Sequence, residues 1–340
     1  MLPLYGDALE ALSYARPMSF ILLAAGLGLL IFSGILVVDG ASSIAKRHGI
    51  SPGMIGLTLV AFGTSLPELA VNISAVNSGD TGLSIGNILG SNIANLGLVL
   101  GIAVCIRSFD VDSAIMRREI PLLMLVTAIV VVISNDGLLR GADLHVDRSD
   151  ALVLLLLLLI FVYINFTEIL QGQPDDELLT QASQRTGRLL GRRDYLFISA
   201  GIVGLWFGGT LTVENALVIA RQFGVSQTVI GLTVVAIGTS LPELVTSVTA
   251  ALRRQAALAL GNVIGSNLVN TLFILPVTAL VRPLPIADAS VIDIWAAMIF
   301  TVAVAIFSFS SHRRFSRWEG ATLLIAYVAF MSWRYLGFQS

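Results

Sequence analysis

The stretch Gly56–Leu69, which reads GLTLVAFGTSLPEL, decides the fold because it returns at Gly231–Leu244 as GLTVVAIGTSLPEL. The likeness runs without a gap from Ile55–Asn95 to Ile230–Asn270, at a constant offset of 175, with 21 identities in 41 positions. The matching letters are mostly Gly, Thr, Ser, Pro, Glu and Asn, which a shared apolar composition does not explain. The chain therefore contains an internal duplication.

The composition around this repeat is that of a membrane protein. Of the 340 residues, 56% are hydrophobic and 12% are charged, about half the charged fraction of a soluble domain. A helix needs about 20 apolar residues to cross a bilayer. Ten runs approach that length: Phe20–Val38, Met54–Ala75, Leu83–Ile106, Ile120–Ile133, Ala151–Phe166, Tyr195–Ala220, Val229–Ala251, Leu258–Leu280, Val291–Phe309 and Ala321–Trp333. We predict an all-α, polytopic membrane protein with ten transmembrane helices.

The placement of the spans predicts two inverted repeats. Five spans lie in each copy, and an odd number inserts the second copy upside down, as in many secondary transporters. We predict a short N-terminal extension (residues 1–17), a first five-helix repeat (18–167), a cytoplasmic linker (168–194) and a second, inverted repeat (195–340). With both termini outside the cytoplasm, 14 of the 20 Lys and Arg residues fall on the cytoplasmic side, as the positive-inside rule favours. The expected location is the cell membrane.

The first motif predicts a broken helix that carries a carboxylate. Pro67 lacks an N–H and clashes with the carbonyl four residues earlier, so the helix should break at mid-membrane and free carbonyl oxygens near Ala61. Thr64 and Ser65 precede Glu68 by one helical turn, so their oxygens can face one point. The second copy repeats this arrangement with Thr239, Ser240, Pro242 and Glu243.

The second motif, GNILGSNIAN at Gly86–Asn95 and GNVIGSNLVN at Gly261–Asn270, predicts a polar helix face. Its Asn and Ser residues recur every four positions, and its glycines allow another helix to approach closely. Together the motifs offer carboxylate, hydroxyl, amide and carbonyl oxygens, which suit hard cations such as Ca²⁺ and Na⁺. The polar face consists of Asn87, Ser91 and Asn95 in the first copy and Asn262, Ser266 and Asn270 in the second.

Plainer structural roles compete with these assignments. An intramembrane glutamate can be a packing residue, although two at matched positions favour function because such residues are costly and rare. The Thr and Ser hydroxyls can bond back to the preceding turn. Ser91, Asn95, Ser266 and Asn270 can act as interhelical glue, and Asn87 and Asn262 fit a structural role.

Other classes of protein are disfavoured. The sequence lacks a nucleophile–base pair, a phosphate loop and a His or Cys metal cluster, so we expect neither an enzyme nor a resident cofactor. No basic tract suggests nucleic acid, and no protein partner is implied. The expected partners are the transported ions, Na⁺ and Ca²⁺, and the lipid bilayer.

At the two motifs, GTSLPE followed by GNxxGSNxxN, the chain resembles the calcium/cation antiporter superfamily, and most closely its prokaryotic sodium/calcium exchangers. The resemblance implies Na⁺/Ca²⁺ antiport by alternating access, in which the first and sixth helices slide across the rest. Some potassium-dependent relatives carry aspartate at the position of Asn270, so the amide implies potassium-independent exchange. The implied ion ligands are Glu68, Glu243, Thr64, Ser65, Thr239, Ser240, the carbonyls of Ala61 and Ala236, and Ser91, Asn95, Ser266 and Asn270.

Two alternatives remain open from the sequence. One is a Ca²⁺/H⁺ antiporter, or an antiporter of another divalent cation, in which Glu68 and Glu243 take up protons as the metal leaves. The other is a membrane scaffold or receptor whose polar residues only hold helices together.

Overall fold

The long apolar runs fold into helices, many of them interrupted. A computed structural model describes residues 4–110, 115–135, 144–171, 190–222, 236–310 and 314–337. The helices of the first part of the chain are α1 (Leu4–His48), α2 (Pro52–Ile55), α3 (Ala61–Thr64), α4 (Leu66–Ser78), α5 (Thr81–Ala94), α6 (Leu100–Ile106), α7 (Ile120–Ser134) and α8 (Arg148–Gln171). Those of the second are α9 (Leu190–Gln222), α10 (Ala236–Thr239), α11 (Leu241–Leu252), α12 (Ala256–Val269), α13 (Leu275–Val281), α14 (Asp288–Ser310) and α15 (Arg317–Gly337).

Wider π-helical turns link several of these helices into longer ones. They lie at Gly56–Val60, Asn95–Val99, Ile115–Glu119 and Asn270–Ile274. Single π-turns inside α-helices are frequent at functional sites. Two of them, at Asn95 and Asn270, begin at equivalent residues of the duplicated motif.

The prediction of a helical protein that crosses the membrane several times is confirmed. Among the described residues, seven helical stretches are long and apolar enough to cross a membrane: Met18–His48, Pro52–Ser78, Thr81–Ile106, Arg148–Thr167, Arg193–Gln222, Ala256–Val281 and Ser290–Phe309. The three other expected spans differ. The fourth is α7, with 15 residues, and the tenth lies in α15, which is not among the seven. The seventh is described only from residue 236, and its segment Leu241–Leu252 is a shorter apolar helix.

Four two-residue strands join the connections at the two ends of the bundle. β1 (Phe109–Asp110) pairs antiparallel with β4 (Arg314–Phe315), and β2 (His145–Val146) pairs antiparallel with β3 (Leu284–Pro285). At the repeat offset of 175, β1 corresponds to β3. We call the two ends of the molecule the β1 end and the β2 end.

The helix bearing the second motif of the second copy packs against the helix bearing the first motif of the first copy. A Cβ on Gly261 would overlap the Gly53 carbonyl oxygen, and one on Gly265 would overlap that of Leu57. The predicted close approach at these glycines is therefore confirmed. Gly86 and Gly90 are their equivalents, but the residues that would face them by the repeat, 228 and 232, lie outside the described residues.

Candidate functional site

Both predicted helix breaks are present and have the same backbone geometry. Ser65 separates α3 from α4 with φ −89° and ψ 4°, and Ser240 separates α10 from α11 with φ −88° and ψ 6°. Each proline lies in the first turn of the helix that follows, where its missing N–H costs no helical hydrogen bond. Glu68 and Glu243 also lie in these first turns, where the positive end of the helix dipole favours a carboxylate.

The two glutamates are buried close to each other. Glu68 is 1% exposed and Glu243 is 0% exposed, and Ser65, which lies three residues before Glu68, contacts the Glu243 carboxylate. Ser65 and Ser266, both buried, donate hydrogen bonds to Oε1 of Glu243, at 3.0 Å and 3.5 Å. The first of these bonds joins the two halves of the chain, so the carboxylate of one repeat is held by the broken helix of the other.

The threonines of the first motif contact the second motif of the opposite repeat. Thr64 donates to Oδ1 of Asn262 at 3.3 Å, and Thr239 donates to Oδ1 of Asn87 at 3.1 Å. The two contacts are equivalent under the repeat. Ser91 lies 3.4 Å from the Thr239 hydroxyl, which also joins the halves. Hydrogen bonds therefore connect Thr64, Ser65, Thr239, Ser91, Ser266 and Glu243 to residues of this polar layer. Among the other predicted side-chain ligands, Asn95, Asn270 and Ser240 are not placed in it by any hydrogen bond of the described residues.

Those three residues are distinguished instead by buried polar atoms that lack a partner. Within the described residues and their contacts, no hydrogen bond reaches either amide atom of Asn95 or Asn270, or the hydroxyl of Ser240. The same holds for both carboxylate oxygens of Glu68 and for Oε2 of Glu243. Buried polar groups in native proteins are almost always paired, so such a group of oxygens calls for a specific explanation. A bound hard cation supplies one, because carboxylate, hydroxyl and amide oxygens are its preferred ligands.

The carbonyl oxygen of Ala61 was predicted to be free of hydrogen bonds, and the structure differs from that prediction. The Ala61 carbonyl accepts the Ser65 N–H at 3.1 Å and the Thr64 hydroxyl at 3.3 Å. The reason is that the chain remains helical up to Ser65, so the last turn before the break still closes on Ala61. Ala236 begins the described part of its helix, and only its backbone is described.

Two further polar residues support the site and were not singled out from the sequence. The Asn72 side chain donates to the Glu68 carbonyl oxygen at 2.7 Å and accepts a hydrogen bond from Ser84 at 2.8 Å. Ser247 accepts one from the Asn262 amide at 2.9 Å. Asn72 and Ser247 are equivalent at the offset of 175. The sequence signal that could have identified these two residues is the presence of a polar residue at this position in both copies, although the two residues are not identical.

The donor set contains oxygen only. Among the described residues, no group of three or more His, Cys, Asp and Glu side chains could hold a metal. Two carboxylates with hydroxyls and amides therefore form the candidate site, and their charges balance one divalent cation.

Comparison with known proteins agrees with this description. The family model described as sodium/calcium exchanger protein matches residues 18–167 and 194–336. The chain is 32% identical over 341 residues to sodium/calcium exchanger MaX1 of Methanosarcina acetivorans, covering 92% of this chain and 97% of that one. It is 35% identical over 265 residues to inner membrane protein YrbG of Escherichia coli K12, covering 77% and 79%. A solved structure of the sodium-calcium exchanger NCX_Mj superposes with a TM-score of 0.79 at 30% identity, covering 93% of this chain and 98% of that one.

Proposed function

The chain belongs to the sodium/calcium exchanger family of cation antiporters, and from that premise we propose that it exchanges Na⁺ for Ca²⁺ across a membrane by alternating access. The observation that carries the proposal is a buried group of oxygens, contributed by both halves, that have no hydrogen-bond partner among the described residues; it includes both carboxylate oxygens of Glu68. An uncompensated intramembrane charge costs at least ~2.5 kcal/mol, and a bound cation offsets that cost.

We propose the same ligand set that the sequence motifs imply. Glu68 and Glu243 hold Ca²⁺ between them, with hydroxyls from Thr64, Ser65, Thr239 and Ser240. Asn95 and Asn270 lie with their amide Oδ1 atoms buried and available for a cation, and Ser91 and Ser266 complete the polar layer. The carbonyls of Ala61 and Ala236 are the remaining proposed ligands. For Ala61 this requires its carbonyl to bind the ion in addition to, or instead of, its present hydrogen bonds.

We propose that the architecture is ten transmembrane helices in two inverted repeats of five. Element bounds support this: α3, α5 and α6, shifted by 175 residues, give the bounds of α10, α12 and α13. The equivalent strands β1 and β3 each pair with a strand of the opposite half, at opposite ends of the molecule. The proposed divisions remain 1–17, 18–167, 168–194 and 195–340, and the two family matches support the two larger ones.

The proposed orientation has both termini outside the cytoplasm, in the cell membrane. The β1 end then faces the cytoplasm. Its support is the excess of arginine and lysine in the connections at that end. We propose that the exchange needs no potassium, because some potassium-dependent members of the family that the chain resembles carry aspartate at the position of Asn270, where this chain has an amide, as it also has at Asn95.

The decisive experiment is ⁴⁵Ca²⁺ uptake into proteoliposomes that contain the purified chain. We expect uptake under an outward Na⁺ gradient, at the same rate with and without K⁺. Glu68→Gln should abolish it, whereas Glu214→Gln, the same change at an exposed position of α9, should not. Uptake driven by a pH gradient alone, without Na⁺, would instead establish Ca²⁺/H⁺ antiport. Ca²⁺ binding that survives in Glu68→Gln would favour the scaffold alternative.

A further inference from the structure

An arginine-lined cavity lies at the β1 end, away from the ion site. Its volume is about 510 Å³, and we call it the arginine cavity. It is built from three places in the chain: the end of α6, the end of α11, and the segment from β4 into α15. The lining residues are Ile106, Arg107, Ser108, Ala251, Leu252, Arg314 and Arg317.

The cavity concentrates positive charge. Three guanidiniums line it, and Arg317 is oriented by a hydrogen bond of 3.3 Å from its Nη2 to the Ile106 carbonyl oxygen. Asp110, an acidic residue, is the register partner of Arg314 between β1 and β4. For this reason we count only Arg107 and Arg317 as the positive charges of the cavity. The neighbouring Glu319 carboxylate accepts hydrogen bonds from Ser316 at 2.6 Å and 3.0 Å. Close by, Asp39 pairs with Arg253, which belongs to a separate cavity.

The surroundings of these guanidiniums are apolar and exposed. Leu252 is 66% exposed and Trp318, next to Arg317, is 84% exposed. Tryptophan concentrates at the level of the lipid headgroups, and large apolar side chains exposed at the end of a spanning helix face lipid. The cavity thus combines cations that bind phosphate with an apolar wall on which an acyl chain can lie. A free phosphate ion would use the first feature but not the second.

We propose that the arginine cavity binds the phosphate headgroup of an anionic phospholipid. Basic cavities between transmembrane helices at the membrane surface suit such headgroups, because guanidiniums form charge-assisted hydrogen bonds with phosphate oxygens. The occupant contacts both repeats, since Arg107 follows α6 and Leu252 ends α11. The site is independent of the ion ligands, so the inference holds or fails separately from the proposed transport activity.

The repeat supplies a matched control at the other end. Arg282 is equivalent to Arg107 at the offset of 175, and both residues end their helices in extended backbone. Arg148 begins the helix that follows β2, as Arg317 begins the helix that follows β4. Removing Arg148 and Arg282 therefore removes the same two charges from the corresponding place at the β2 end.

The test is native mass spectrometry of the full chain in detergent, titrated with phosphatidylglycerol or with phosphatidylcholine of the same acyl chains. We expect one phosphatidylglycerol to bind about 30-fold more tightly than phosphatidylcholine, which corresponds to about 2 kcal/mol for two basic residues near the membrane surface. Arg107→Gln/Arg317→Gln should lose this preference, and Arg148→Gln/Arg282→Gln should keep it. An equal loss in both double variants, or no preference in the unmodified chain, overturns the proposal.

Two further measurements test the proposal if the glutamine variant fails to fold, or if the cavity binds free phosphate instead of a lipid. Arg107→Lys/Arg317→Lys keeps both charges and should keep most of the preference, which tests the inference even if the glutamine variant fails to fold. A lysine variant that elutes as folded protein but no longer distinguishes the lipids contradicts it. Inorganic phosphate in large excess should leave the lipid bound, whereas displacement by phosphate would identify a site for the free anion.

Discussion

The two repeats carry nearly the same proposed ligand residues but place their glutamates in different surroundings. Glu243 accepts hydrogen bonds from Ser65 and Ser266, whereas neither carboxylate oxygen of Glu68 has a partner within the described part of the chain. The hydroxyl of Ser240, the equivalent of Ser65, likewise has no partner among the described residues. One carboxylate is therefore held in place by protein donors, and the other has no donor among the described residues.

The packing around the two broken helices differs in the same way. α4 packs against α5 and α13. α11 packs against α12 and α6, which are the equivalents of α5 and α13 under the repeat. In addition, α11 packs against α1 and α9, the long helices that also pack against each other. The approach is close, because a Cβ on Gly34 of α1 would lie 2.8 Å from the Val245 side chain. Nearly identical sequences thus occupy unlike positions, which fits the proposed alternation between two states.

The largest expected effect comes from removing either carboxylate. Glu68→Gln and Glu243→Gln should each weaken Ca²⁺ binding roughly 100-fold, ~2.7 kcal/mol, because one of the two charges that balance the ion is lost. Isothermal titration with Ca²⁺ measures this, with Glu214→Gln as the control. Without Ca²⁺ the two variants should differ: Glu68→Gln should unfold at a higher temperature than Glu243→Gln, because it removes the charge that lacks donors. The reverse order would contradict the asymmetry.

The next effect tests whether the two helix crossings are equivalent. Gly265→Ala should lower the free energy of unfolding by about 1–3 kcal/mol, because the added methyl overlaps the Leu57 carbonyl. Gly90→Ala should cost as much, since the residue facing it by the repeat, Leu232, is also leucine. Gly82→Ala is the control, because its added methyl meets no atom of the described residues nearer than 3.9 Å. Denaturation in detergent measures all three, and a neutral Gly90→Ala would mean that the crossings differ.

A smaller effect distinguishes the two hinge serines. Ser65→Ala should weaken Ca²⁺ binding about 10-fold, because it removes the hydrogen bond to Glu243 as well as a proposed ligand. Ser240→Ala removes a hydroxyl that makes no such bond, and should weaken binding by only about 3-fold. Calcium titrations of the two variants in parallel give the ratio. Equal losses would show that the Ser65–Glu243 bond contributes nothing to the site.

The smallest effect concerns the ion pair between Asp39 and Arg253 at the β1 end. Both side chains are more than a third exposed, so Asp39→Asn should cost at most ~1 kcal/mol and should cost less in high salt. Glu214 is equivalent to Asp39, but the position equivalent to Arg253 is Ser78. Glu214→Gln should therefore leave thermal stability unchanged. A larger loss for Glu214→Gln than for Asp39→Asn would contradict this assignment.

Much of the site was predictable because its chemistry lies in local sequence. The Pro67 and Pro242 breaks follow from a missing N–H, which acts within one helical turn. The close approach at Gly261 and Gly265 follows from small residues at helical spacing. The Ala61 carbonyl was expected to be free, but the turn before the break still closes on it. The role of Asn72 was missed because its partner Ser84 belongs to the following helix.

The sequence by itself determined the duplication, the helical membrane-spanning character, the two helix breaks and the oxygen-only donor set, because each depends on composition or on neighbours along the chain. Only the tertiary structure decided which donor reaches which acceptor. The Ser65–Glu243 and Thr239–Asn87 bonds join residues of opposite repeats, far apart in sequence. The unequal surroundings of Glu68 and Glu243 were also decided there, since nearly identical motifs cannot encode a difference that arises from how α1 and α9 pack across them.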